Sequence, residues 1–219
     1  KYLVDDSREE IRQTFLFDQL EIPGKQRWDD YRYDLKYLRN HFIDFQTELK
    51  GSSWPALVIE NHDNPRMVSK VNPDPKFRNA VSKVIGALLL TGRGTPYIFQ
   101  GEELGMMNCT FNNISEMRDV ESINKYAELQ EKGKSQSEAW ATILAGSRDN
   151  SRTPIPWDDS ENGGFTTGTP WIRLNGDYKE CNADAQIKDP ASPYNYYKAL
   201  IDELLRTSNI TIHYVSSDP

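Results

Sequence analysis

The stretch WPALVIENHDNPRMVSKV, residues 54 to 71, joins an apolar run to a crowd of polar groups. Ala56, Leu57, Val58 and Ile59 feed without a turn residue into Glu60, Asn61, His62 and Asp63, and Pro65 and Arg66 then break the extended chain. A buried strand usually ends in Gly, Asn or Ser, which satisfy a turn at little cost. Here a carboxylate, an imidazole, an amide and a guanidinium share one strand end, the place where α/β barrels and open α/β sheets keep their chemistry. A second apolar stretch, TPYIFQ at 95 to 100, also runs into acids, Glu102 and Glu103. By residue type alone, either acid could pair with Asp63, as the two carboxylates of glycoside cleavage do. Further on, SRDNSR offers two guanidinium forks, Arg148 and Arg152, and MRDVES offers Glu121. A guanidinium presents a planar set of donors suited to vicinal hydroxyls or a carboxylate.

The elements that must position these groups alternate. A short apolar run at 9 to 17, EEIRQTFLF, predicts a strand. From 34 to 49, Leu35, Leu38, Phe42 and Phe45 recur every three or four positions, which predicts an amphipathic helix closed by Gly51. The strand at 56 to 59 follows. A helix from 75 to 91 carries Phe77, Val81, Val84, Ile85 and Leu88 on its inner side and stops at Gly92 and Gly94. The second acid-ended strand comes next. Residues 108 to 190 form a long polar excursion, with helices at 120 to 133 and 137 to 145 and a central run too rich in Gly, Pro and Asp for regular structure. A last helix spans 194 to 206. Strand, helix, strand, helix, strand, excursion, helix is the order of parallel βα units, an α/β class.

Composition narrows the function classes. The chain has 219 residues and a net charge of −7. Its acids and bases are interspersed, which excludes a basic nucleic-acid groove. No apolar run approaches the roughly 20 residues of a membrane helix, and no signal-like start is present. Cys109 and Cys181 show no metal or CxxC spacing and no disulfide framework, so a reducing, cytoplasmic setting is the expectation. His41 sits on a helical pattern and His213 in the tail, both read as structural or surface residues.

At IENHDNPR, GTPYIFQGEELGM and SRDNSRTPIPWDDSENGGFTTGTPW the sequence resembles the α-amylase family of glycoside hydrolases (family 13), in its oligo-1,6-glucosidase, isomaltase and α-glucosidase branch. The blocks are ordered and correctly spaced, and the likeness covers nearly the whole chain. It implies a (β/α)8 TIM barrel of which residues 1 to 219 supply about the sixth to eighth strands, with 108 to 190 inserted between last strand and last helix. The family's nucleophile and acid/base follow the fourth and fifth strands and are expected upstream of Lys1, so the fragment alone is expected to be inactive and to need the rest of the same barrel. No cofactor or metal site is implied within the chain; a calcium site of relatives would fall in the upstream part.

The resemblance also implies roles. Asp63 matches the carboxylate that favours the cationic transition state, although taken alone it reads equally well as a helix cap or a partner of Arg66. His62 hydrogen-bonds the same sugar, Arg148 meets the terminal sugar while pairing with an upstream aspartate, Arg152 lines the next subsite or supports Arg148, and Glu121 faces the second sugar. Asn61 and Arg66 hold the strand end in shape; Glu102 and Glu103 become structural. Trp157, Phe165 and Trp171 read as walls of the mouth or as loop packing. The implied substrate is a small oligosaccharide of isomaltose, maltose or sucrose type. A sucrose isomerase or other transglycosylating relative is the enzymatic alternative. Such isomerases carry an arginine-rich loop where NNISEMRDVES has only Arg118. The alternative from another class is a non-catalytic relative, such as a transporter heavy-chain ectodomain that binds a partner.

Overall fold

Helix signals in the sequence become helices where caps and an apolar stripe coincide. In the computed structural model, which describes Ser7, Ile11 and residues 13–15, 17–49 and 53–207, α1 runs Leu35–Glu48 behind Asp34, whose carboxylate accepts the Lys36 N–H. Leu38 and Phe42 face the core, while Leu35 at the first turn is exposed. Gly51 lies outside the described residues, as do parts of the strand expected at 9 to 17; the described residues there are not in a strand.

β1 is Ala56–Leu57 and β2 is Thr95–Pro96, paired parallel with Ala56 opposite Thr95 and Leu57 opposite Pro96. The buried run continues beyond the paired residues through Val58, Ile59 and Glu60. Side chains replace a neighbouring strand there, since Gln19 Nε2 donates to the Val58 carbonyl at 2.8 Å. Pro96, which has no N–H, is compatible with β2 because the rungs to the β1 segment are donated by Thr95 and Tyr97 on either side of it, to the carbonyls of Pro55 and Leu57.

Between the strands lie α2 (Met67–Val71) and α3 (Arg78–Thr91), the latter preceded by a 3₁₀ turn over Pro75–Phe77 and stopped at Gly92. The inner face of α3 is centred on Ser82, Ile85, Gly86 and Leu89. Phe77 and Val84, expected inside, are exposed, because they lie on the far side of that stripe. Val81 and Leu88 sit at its margin against the main core of Leu38, Phe42, Leu57, Ile59, Ile85 and Leu89.

After β2 come α4 (Val120–Glu131), α5 (Gln136–Gly146), α6 (Ala183–Lys188) and α7 (Pro193–Thr207). α5 starts with a reciprocal capping box between Ser135 and Glu138, which satisfies two orphan donors at once. The short α6 and α2 were not predicted. α7 packs on α3 and α4 on α5. A Cβ on Gly86 would lie 2.5 Å from Tyr197 Cε2, so glycine is what lets α7 seat this close. His41 stacks on Phe45 with ring centroids 6.1 Å apart, and burial lowers its pKa. His213 lies outside the described residues.

Candidate active site

The polar end of the β1 run is held from beneath by a buried ion pair. Glu60 is 3 % exposed and Arg66 0 % exposed, a depth at which an unpaired charge would be prohibitive. Glu60 Oε2 accepts from Arg66 Nη1 at 3.0 Å and Glu60 Oε1 from the Met67 N–H at 2.6 Å. Arg66 Nη1 also donates to the Gln100 carbonyl at 2.9 Å, at the end of the β2 stretch. Glu60 therefore closes the loop of residues 61–65 at its base. Within the loop, Asn61 Oδ1 accepts the Asp63 N–H at 2.8 Å, a turn that aims the next side chain outward.

What it aims is Asp63, whose side chain is 52 % exposed. Its Oδ1 accepts from Arg152 Nη2 at 3.2 Å and Arg148 Nη1 at 3.4 Å, and its Oδ2 lies 3.4 Å from His62 Nε2. Asp63 pairs with these two arginines rather than with Arg66. Asn61, Asp63 and Asn64 line one end of an open cleft of about 590 Å³, with Glu21, Lys25 and Tyr37 on its other wall.

Each side chain of RDNSR has a task. Arg148 donates to Asp119 Oδ1 at 2.5 Å through Nη2 and comes within 3.3 Å of Glu121 Oε2. Asp149 Oδ2 accepts the Arg118 and Asp119 N–H groups at 2.6 and 3.0 Å, fixing the start of α4. Asn150 Oδ1 accepts the Cys109 N–H at 3.0 Å. Ser151 Oγ donates to the Asn64 carbonyl, and Arg152 Nε to the His62 carbonyl at 2.9 Å. The excursion is thereby fastened to the 61–65 loop.

Sequence reasoning missed Asp119 and Arg27. Asp119, fully buried, caps α4 through the Glu121 N–H and accepts the Ser122 hydroxyl at 2.8 Å. Burial pushes its carboxyl up, but the hydrogen bonds from Arg148, Ser122 and the Glu121 N–H together with the charge of Arg148 outweigh this and hold it below the usual carboxylate range. Arg27 Nη2 is 2.7 Å from Glu121 Oε2, and its Nη1 donates to the Asp63 carbonyl at 3.2 Å. Asp119 was legible as the N-cap two residues before Glu121; Arg27 carried no signal.

Glu102 and Glu103 are turned elsewhere. Tyr197 Oη donates to Glu102 Oε1 at 3.0 Å, and Glu103 Oε2 accepts the Gly101 N–H at 2.8 Å. Burial, reinforced by the charge of Glu60, raises the Glu102 pKa well above the carboxylate range. Trp157, Phe165 and Trp171 are all largely exposed. Cys109 and Cys181 are buried free thiols. Among the described residues, no group of three or more His, Cys, Asp or Glu could hold a metal ion, and no helix is long and apolar enough to cross a membrane.

A parallel strand pair with its polar constellation at the C-terminal ends is the layout of an α/β barrel domain. The chain matches the family described as Alpha amylase, catalytic domain over residues 1–214, and it belongs to that family as part of the catalytic TIM-barrel domain. It is 43 % identical over 213 residues to the oligo-1,6-glucosidase of Parageobacillus thermoglucosidasius, covering 95 % of this chain and 38 % of that protein. The crystal structure of trehalose-6-phosphate hydrolase from Bacillus licheniformis superposes with a TM-score of 0.87 at 41 % identity, over 94 % of this chain and 38 % of that one. Isomaltulose synthase from Erwinia rhapontici, solved in complex with its natural substrate sucrose, gives a TM-score of 0.84 at 38 % identity, over 93 % and 37 %. The chain thus spans somewhat over a third of the length of these relatives.

Proposed function

We propose that these residues are the sixth to eighth strands, with their helices, of the barrel of a retaining, exo-acting α-glucosidase of oligo-1,6-glucosidase type. The whole enzyme hydrolyses terminal α-linked glucose from short oligosaccharides by double displacement. The observation that carries this is the Asp63 carboxylate, anchored by two guanidinium groups at the end of a buried run while half its surface stays open. A negative charge fixed in advance stabilises a developing oxocarbenium ion without reorganising. His62 beside it hydrogen-bonds a hydroxyl of the same sugar. Arg148, gripped by Asp119 and Asp63, presents its fork to the terminal glucose, Arg152 lines the next subsite, and Glu121 faces the second sugar. Nucleophile and acid/base, about 5 Å apart in a retaining enzyme, come from polypeptide outside these residues, so the 219-residue chain alone turns over no glucoside.

The relatives act, by their names, on oligo-1,6-glucosides, trehalose 6-phosphate and sucrose. Hydrolysis is favoured over sucrose isomerisation by Arg118, whose guanidinium is tied to the carbonyls of Trp171, Ser115 and Met117. An intact Asp63 constellation likewise supports an enzyme over a partner-binding relative. The test is kcat/KM of the whole enzyme on isomaltose, trehalose 6-phosphate, sucrose and soluble starch, with product analysis, for the parent and Arg148→Ala. Short substrates should be cleaved well and starch poorly, and the variant should lose roughly 10²-fold or more on isomaltose, as a charged donor to the sugar is removed. Internal cleavage of starch, or an Arg148→Ala enzyme unchanged on isomaltose, would overturn the reading.

A further inference from the structure

Arg27 lies in the loop GKQRWDD, remote in sequence from every motif above, yet its guanidinium ends inside the site. Its side chain is 11 % exposed and bridges two segments: Nη2 lies 2.7 Å from Glu121 Oε2 and 4.0 Å from Asp119 Oδ2, and Nη1 donates to the Asp63 carbonyl at 3.2 Å. Three things hold Arg27 in place. The Trp28 ring packs under its guanidinium at 4.4 Å, Lys70 Nζ donates to its carbonyl at 3.2 Å, and Gly146 at the end of α5 leaves room for its backbone. A Cβ on Gly146 would lie 2.7 Å from Arg27 O and 2.6 Å from Trp28 Cε3. The glycine is there for this close approach.

Glu121 thus stands between two guanidinium groups, Arg27 at 2.7 Å and Arg148 at 3.3 Å. The nearer one decides where the carboxylate sits. Without Arg27, Glu121 would be free to turn onto Arg148 and draw it away from Asp63. We infer that Arg27 is a positioning residue that fixes Glu121 relative to the Asp63 loop and so sets how the second sugar is accepted. This rests on the proposed α-glucosidase reading, in which Glu121 faces that sugar. A residue acting through Glu121 discriminates among leaving groups, whereas a merely structural one would depress all substrates alike.

The experiment uses the whole enzyme with Arg27→Met, which keeps the length of the side chain, and Arg27→Lys. kcat/KM is measured on isomaltose, whose leaving group is a sugar, and on p-nitrophenyl α-glucoside, whose leaving group is not. Arg27→Met is expected to lower the isomaltose value about tenfold more than the aryl-glucoside value, with partial recovery in Arg27→Lys. In a Glu121→Gln background the same change should add less than a threefold loss, because directly coupled residues are non-additive. Gly146→Ala, which displaces the Arg27 backbone, should shift the substrate ratio in the same sense. Equal losses on both substrates, full additivity with Glu121→Gln, or no loss at all would overturn the inference. A parent enzyme without activity on either glucoside would instead sink the α-glucosidase reading itself.

Discussion

Asp119→Asn isolates the charge that grips Arg148. Asparagine keeps the shape, and with its single oxygen in the Oδ1 place it retains the bonds from Arg148 and the Glu121 N–H, while its NH2 in the Oδ2 place can donate to Ser122 Oγ, whose own proton goes to Ser147 Oγ. The lost component is the charge on a carboxylate whose side chain is 1 % exposed, set against an Arg148 side chain that is 25 % exposed. Breaking a fully buried pair costs about 3–5 kcal/mol, and a hydrogen bond to a charged group is worth about 1.5–3 kcal/mol. Arg148 is partly solvated and retains Glu121 and Asp63 at 3.3 and 3.4 Å, so the lower range applies, about 2 kcal/mol. The pH dependence follows from the depressed carboxyl. Its folded pKa lies below the ordinary 3.8, so the stabilisation is fully present above about pH 4 and is lost as pH falls through the folded value. Urea unfolding of the whole enzyme at pH 7 and near pH 3 provides the assay. The variant should be about 2 kcal/mol weaker at pH 7, and the difference should shrink at the lower pH. A deficit that is absent at pH 7, or undiminished in acid, would refute the account of the pair.

Asp63→Asn should lower kcat on isomaltose by about 10²–10³-fold with folding intact, and His62→Ala should have a milder effect that includes a higher KM. Steady-state kinetics that reversed this order would reassign the two roles. Gly86→Ala removes a helix-interior glycine, a gain of about 1 kcal/mol by propensity. It also drives a methyl into the buried ring of Tyr197, 2.5 Å away, and overpacking costs about 1–3 kcal/mol; denaturant unfolding should show net destabilisation. Glu102→Gln should behave oppositely. Its folded pKa is raised, so the parent loses stability as pH rises above the unfolded value, by up to about 1.4 kcal/mol per pH unit, and the variant's advantage should grow from pH 5 to pH 8.

How much of this was legible depended on whether a residue's signal was local. α1, α3, α4, α5 and α7 follow from apolar spacing and caps that lie within the elements themselves. The polar end of the β1 run could be read from NHD beside an apolar stretch, and in the structure Asp63, His62, Arg148, Arg152 and Glu121 lie in one cluster there. Arg27 was illegible, because an arginine in a turn-rich loop has no period, and the oxygens its guanidinium meets, on Asp63, Asp119 and Glu121, are 36 and more residues away. The inner face of α3 was misplaced by one residue, since Phe77 and Val84 are apolar but the close approach of Tyr197 selects the side that carries Gly86 and Ser82. Glu60 carried no assignment, and only its burial with Arg66 explains it.

Arg148 and Arg152 reach Asp63 across 85 and 89 residues of chain. Such contacts give nothing back until the loop between them has closed, which places the assembled site late in folding. A sugar that needs both arginines binds only the closed arrangement. At a hundred times its Kd, such a ligand adds about 2.7 kcal/mol to that arrangement. On the proposed α-glucosidase reading, substrate should therefore act as a latch on residues 108–190, slowing amide exchange and proteolysis in a segment whose own fastening to the strand end is a few side chains.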